Sequence, residues 1–107
     1  MAGTIGVSPD MLWSAASWLF DWVLKDIAKD TDDVELAGNL TGIVDENLGW
    51  FGLDDVTPNQ RHEVRRIIAE RLVDDADREF PADMLGRPEA LALLKELVAS
   101  VSGDAAG

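Results

Sequence analysis

The chain contains no cysteine, a single histidine, and only 9 Lys and Arg against 21 Asp and Glu. Each scarcity closes off some chemistry. Without cysteine there is no disulfide, thiolate nucleophile, iron–sulfur cluster or Cys-based zinc site. The same absence fits a cytoplasmic protein, the compartment expected here. One histidine excludes two-His metal motifs. His62-Glu63-Val64-Arg65-Arg66 opens like a zincin helix, but Arg66 stands where the second His belongs. Asn59 lies three residues before His62, so the Glu-x-x-His pairs of di-iron bundles are missing too. A net charge of −12 opposes nucleic-acid binding, which needs a cationic face. Long apolar runs are also lacking. The stretch 11–24 is broken by Asp21, has no basic start, and is too short to span a bilayer, so neither a signal peptide nor a membrane segment is expected.

What remains is 107 residues with 47% hydrophobic content, the signature of one globular domain. Surface scaling gives roughly 5,800 Å² folded against about 16,800 Å² for the open chain, enough burial for one core without staples. Punctuation and periodicity predict four helices, at 9–29, 33–48, 58–80 and 88–102, flanked by loose ends at 1–7 and 103–107. Ser8-Pro9-Asp10 supplies a cap and a first-turn proline. Asp32 with Glu35 resembles a capping box, and Leu36, Leu40, Ile43, Val44 and Leu48 follow at helical spacing. Gly38 and Gly42 weaken that helix or mark a close helix crossing. Thr57-Pro58-Asn59-Gln60 is the clearest start, leading into the stripe Val64, Ile67, Ile68, Leu72, Ala76 and Phe80, with Pro81 as the stop. Pro88 opens the last helix, with Leu91, Leu94, Leu97, Val98 and Val101 as its stripe and Gly103 closing it. No stretch alternates long enough to read as a strand. The expected fold is therefore all-α: a compact four-helix bundle or related orthogonal array, as a single domain over 1–107.

Two features stand out. On the first predicted helix the apolar arc is about 240° wide, far beyond the roughly 100° of a surface helix. It is either the central helix of the bundle, or Trp18 and Trp22, bordering the polar strip, form a partner patch. A homodimer seam would use the same surface. The second feature is charge segregation. Residues 1–57 carry 11 acidic and 2 basic side chains, and the window 30–55 holds eight acids and no base. Trp50 and Phe51 lie inside it. Carboxylates around an aromatic anchor suit the capture of a basic protein partner. Asp32, Asp33, Trp50, Phe51, Asp54 and Asp55 are the candidates. Helix capping and general acidity account for part of the same pattern.

Other chemistry finds less support. Counted as an EF-hand from Asp30, the pattern fails at Val34, Glu35 and Thr41. Arg61, Arg65, Arg66 and His62 form a small basic cluster, but Glu63–Arg66 and Arg66–Glu70 read as intrahelical pairs and His62 as a solvated surface residue. No catalytic constellation, cofactor or metal ligand set is expected. The small, acidic, helical profile is shared by acyl carrier proteins, yet Gly52-Leu53-Asp54-Asp55-Val56 has Asp where their attachment serine would stand, which excludes that family. In composition and architecture alone the profile resembles immunity proteins that neutralise basic nuclease toxins, and small acidic phage inhibitors. That resemblance implies a non-enzymatic inhibitor. The alternative is a structural, self-associating protein.

Overall fold

The computed structural model describes residues 2–106, with side chains as far as Ser102. It is an α/β fold, which overturns the all-α bundle. A three-stranded mixed sheet is ordered β2-β1-β3. Strand β1 (Ala2–Ser8) and β2 (Met11–Ala16) form an antiparallel hairpin, and β3 (Trp50–Gly52) lies parallel to β1 on its other side. Thus 1–7 is not a loose arm: all but its first residue belongs to the central strand, with Ile5 and Val7 fully buried. Ser8-Pro9-Asp10 does not start a helix. Pro9 and Asp10 turn the hairpin, a position where a fixed φ and a turn-forming Asp serve equally well. A bulge between Gly6 and Ser8 adjusts the register.

The pleat assigns the faces. Ile5, Trp13 and Phe51 are mutually in register, point inward, and are buried. Thr4, Gly6, Leu12, Ser14, Trp50 and Gly52 occupy the outer face. The hydroxyls of Thr4 and Ser14 hydrogen-bond across it at 3.0 Å.

Helix α1 (Ser17–Asp30) begins eight residues later than the sequence predicts. The 240° arc comes from splicing a strand onto a helix: α1 itself buries Leu19, Phe20, Val23, Leu24 and Ile27, while Leu12 of β2 is 63% exposed. Helix α2 (Val34–Asp45) is capped by Asp33, whose carboxylate accepts from Leu36 N at 3.0 Å, not by Asp32. It stops before Leu48, and the chain turns through Asn47 and Gly49, both at positive φ, into β3. At Gly38 and Gly42 an added methyl would meet nothing within 4 Å, so neither marks a helix crossing.

After a 3₁₀ turn (Leu53–Asp55), α3 (Pro58–Ile67) starts at the expected capping box, with Thr57 and Gln60 exchanging both bonds. A π turn (Ile68–Leu72) leads directly into α4 (Val73–Glu79). The stripe Val64, Ile67, Ile68, Leu72, Ala76 and Phe80 is buried throughout. Helix α5 (Arg87–Ala106) runs through Gly103, since one glycine's helix penalty of about 1 kcal/mol does not stop a helix by itself. The helices pack against the inner sheet face and against each other. Among the described residues no helix is long and apolar enough to cross a membrane.

Candidate functional site

The outer sheet face brings Trp50, Asp54 and Asp55 together. Trp50 opens β3 opposite Thr4, and its indole lies over two glycines. A methyl at Gly6 would come within 2.8 Å of the ring, and one at Gly52 within 2.6 Å of Asp55 Oδ2. The indole N–H donates to Asp55 Oδ2 at 3.2 Å. The ring is therefore held from below and at one edge, yet it is 46% exposed. It forms a ridge between two hollows. One, of about 310 Å³, is lined by Asn39, Ile43, Leu48 and Val56. The other, of about 280 Å³, is lined by Ser8, Pro9, Leu12 and Asp54. Asp54 faces solvent, with the Arg61 guanidinium 4.0 Å away and hydrogen-bonded to Leu53 O.

The other candidates do not join this surface. Phe51 is buried in the core, because alternation along β3 sends it to the face opposite Trp50. Asp32 and Asp33 sit at the far end of α2, roughly 18 Å along a helix of that length, and Asp33 is occupied as a cap. Trp18 and Trp22 pack against Phe80, with ring centroids at 5.9 and 4.9 Å. Trp18 remains 48% exposed beside Leu85, and Trp22 is half-buried. Sequence reasoning misses Leu12, Met11 and Leu48 as surface residues: the first two lie in the wide apolar arc of the first predicted helix, and Leu48 ends the stripe of the second. The basic cluster behaves as expected: Arg66 pairs with Glu63 at 2.7 Å and approaches Glu70 at 3.9 Å, and His62 is exposed.

A second constellation is not anticipated by the sequence. Asp26 and Asp30, one turn apart on α1, meet Asp75 of α4, each offering an oxygen within 4.8 Å of the others. Asp26 is 3% exposed and Asp75 equally buried. Both oxygens of Asp26, and Oδ2 of Asp30 and of Asp75, are buried without a hydrogen-bond donor while all three carboxylates are ionised. Lys29 Nζ approaches Asp26 Oδ1 at 3.3 Å but donates its hydrogen bond to Glu79 at 2.7 Å. Arg71 lies 3.8 Å from Asp30, and Arg78 binds Asp75. Burial, then the Asp75 carboxylate, pushes Asp26 up to about 7. Burial and Asp75 raise Asp30 as well. Burial would also raise Asp75, but hydrogen bonds with Asp30, Asp26 and Arg78 hold it below the ordinary range. The signal in the sequence is spacing: Asp26 stands three residues after Val23 and Asp75 three after Leu72, each on a core stripe.

This arrangement fixes a pH dependence. Asp26 is protonated in the native state up to about pH 7, but its unfolded value is 3.8. The native state therefore binds more protons between those limits, and stability falls as pH rises through them. In chelator-treated protein, urea unfolding is expected to show a loss of about 2–3 kcal/mol between pH 5 and pH 8 from this group. Asp75 is ionised in both states across that window and leaves the slope unchanged. Asp26→Asn should flatten it; a slope unchanged in that variant would assign the effect to general charge repulsion.

Comparison with protein-family models, with curated proteins and with solved structures gave no match to this chain.

Proposed function

We propose that this protein is a non-enzymatic interaction module of the inhibitor type, whose outer sheet face binds a basic protein surface. The observation that carries the reading is Trp50: an indole fixed over Gly6 and Gly52, tied to Asp55, and still 46% exposed. A rigid, half-exposed aromatic loses little freedom on binding, and such anchors dominate interface energetics. Leu12 and Leu48 flank it as an apolar surround. Asp54 and Asp55 set the sign of the partner, steering a cationic surface toward the ring.

The test is affinity capture with the wild-type chain and the Trp50→Ala and Asp54→Lys variants at low and high salt, then calorimetry on the captured protein. A basic partner is expected. Trp50→Ala should weaken binding at least about 30-fold, as a hot-spot loss of about 2 kcal/mol does. Asp54→Lys should mainly slow association and blunt its salt dependence. Asp54 is the cleaner probe, because Asp55 also holds the indole. A neutral or acidic partner, or binding indifferent to both changes, would defeat the reading.

A second reading, self-association through α1, is favoured by the exposed pair Trp18 and Leu85, which line a hollow of about 240 Å³. It predicts a dimer by light scattering that Trp18→Ala dissociates. A monomer at high concentration ends it.

A further inference from the structure

We propose that Asp26, Asp30 and Asp75 form a binding site for a hard divalent cation of calcium size. The site is separate from the outer sheet face, and the inference does not depend on the function proposed for that face.

With all three carboxylates ionised, four of their oxygens are buried without a donor, both of Asp26 and Oδ2 of Asp30 and of Asp75, and one oxygen of each residue lies within 4.8 Å of the others. The Asp26 side chain is 1% exposed and sits among the other two. Buried carboxylates persist when they are paired or coordinate a metal. The nearby cations meet this need only in part: Lys29 Nζ approaches Asp26 Oδ1 at 3.3 Å, and Asp26 Oδ2 has no cation beside it. Arg78 engages the other oxygen of Asp75. Arg71 reaches Asp30 only at 3.8 Å, and Lys29 directs its bond outward to Glu79. Glu79 gives Lys29 a resting place when a cation takes over the charge of Asp26.

The donor set and spacing narrow the ion. All-oxygen, all-carboxylate ligation selects hard cations over the softer transition metals. Ligand oxygens facing each other across Ca²⁺ stand up to about 5 Å apart, whereas across Mg²⁺ they stand about 4.2 Å apart. One oxygen from each of the three residues falls within 4.8 Å of the others, inside the span of Ca²⁺ ligation. Asp26, with Oδ2 unengaged and Oδ1 freed when Lys29 stays with Glu79, can serve as the bidentate ligand. Asp30, the least buried of the three, marks the side open to water for the remaining positions. The backbone supports the arrangement: Asp75 stands three residues after Leu72 and seven after Ile68, so helical spacing turns it inward with that buried stripe.

The experiment is calorimetric titration of chelator-treated, full-length protein with CaCl2 and separately with MgCl2, in salt that screens the acidic surface. One Ca²⁺ per chain is expected, with weaker Mg²⁺ binding. In parallel, the thermal midpoint should rise by about 10 °C at roughly 100-fold excess over Kd. Asp26→Asn and Asp30→Asn should each weaken Ca²⁺ binding tenfold or more, while Asp54→Asn should leave it unchanged. No saturable uptake by the wild-type chain at about 10 mM Ca²⁺, beyond the weak limit for protein calcium sites, overturns the proposal whatever the variants do. Several weak sites, or binding that survives both Asp26→Asn and Asp30→Asn, overturns it equally. Mg²⁺ binding as tight as Ca²⁺ overturns the assignment of ion size.

Discussion

Replacing Gly3 by alanine is expected to destabilise the protein by about 3 kcal/mol, with a fall in melting temperature of about 10–20 °C. The added methyl would lie 2.1 Å from Phe20 Cγ and within 2.6 Å of two further Phe20 atoms. Phe20 has no room to retreat. It is 1% exposed, in the first turns of α1, and enclosed by the core. Relief requires β1 to lift from α1, which breaks the register that aligns Ile5 with both Trp13 and Phe51. Gly38→Ala is the natural control. That glycine lies within α2 with open space around it, so alanine there should stabilise by about 0.5–1 kcal/mol. Urea denaturation of the two variants gives the comparison. If Gly3→Ala stays within about 0.5 kcal/mol of wild type, β1 is not packed on Phe20. A Gly3→Ala, Phe20→Leu double variant should recover part of the loss, since the two positions share one contact.

Gly3 also shows why the sheet is hard to read from sequence. Strands announce themselves by alternation of apolar and polar side chains, and β1 replaces both signals with glycine: inward at Gly3 to admit Phe20, outward at Gly6 to admit Trp50. The segment then reads as a flexible arm. In β2 the difficulty is different. Leu12, Ala16 and Leu19 fall at helical spacing by coincidence, and Pro9 suits a helix start and a hairpin turn alike. Pairing with β1 decides between them, and pairing is a tertiary fact. Where the governing chemistry is local, sequence and structure agree. The Thr57–Gln60 capping box satisfies its own donors within four residues, and the stripe from Val64 to Phe80 repeats over successive turns.

The same distinction divides the two sites. Trp50, Asp54 and Asp55 can be grouped from sequence because six residues of chain hold all three. Phe51 is misassigned with them, because a loop reading has no alternation to separate adjacent aromatics. The carboxylate trio joins residues 26 and 75, almost half the chain apart. Helical spacing does put Asp75 on the core stripe, three residues after Leu72 and seven after Ile68, but nothing local pairs it with an acid on another helix. Eight acids in one base-free window draw attention to 30–55, yet Asp30 turns away from that surface toward Asp26 and Asp75. The acids that meet in the interior are ones that composition does not distinguish from the rest.

Trp13→Ala should cost about 3–5 kcal/mol, the usual range for emptying a buried aromatic site. Trp13 is 5% exposed on the inner face of β2, and its indole N–H donates to Leu93 O of α5 at 2.8 Å. That bond ties the hairpin to the last helix, across 80 residues of sequence. Trp13→Phe separates the two contributions. It keeps most of the ring's burial but loses the hydrogen bond, so it should cost only about 1–2 kcal/mol. The order Ala well below Phe, and Phe below wild type, in urea midpoints monitored by circular dichroism would match a packed strand with a polar tether. Equal losses for both variants would place the energy in the hydrogen bond alone. Near-zero loss for Trp13→Ala would remove Trp13 from the packed inner face of the sheet. The result also bears on the outer face. Leu12 and Trp50 are displayed there only because β2 and β3 are clamped to β1 from the inside, by Trp13 and Phe51 on either side of Ile5. A partner surface on a three-stranded sheet is as rigid as the inner face that backs it. Loss of Trp13 should therefore weaken binding at Trp50 even at temperatures where the variant remains folded.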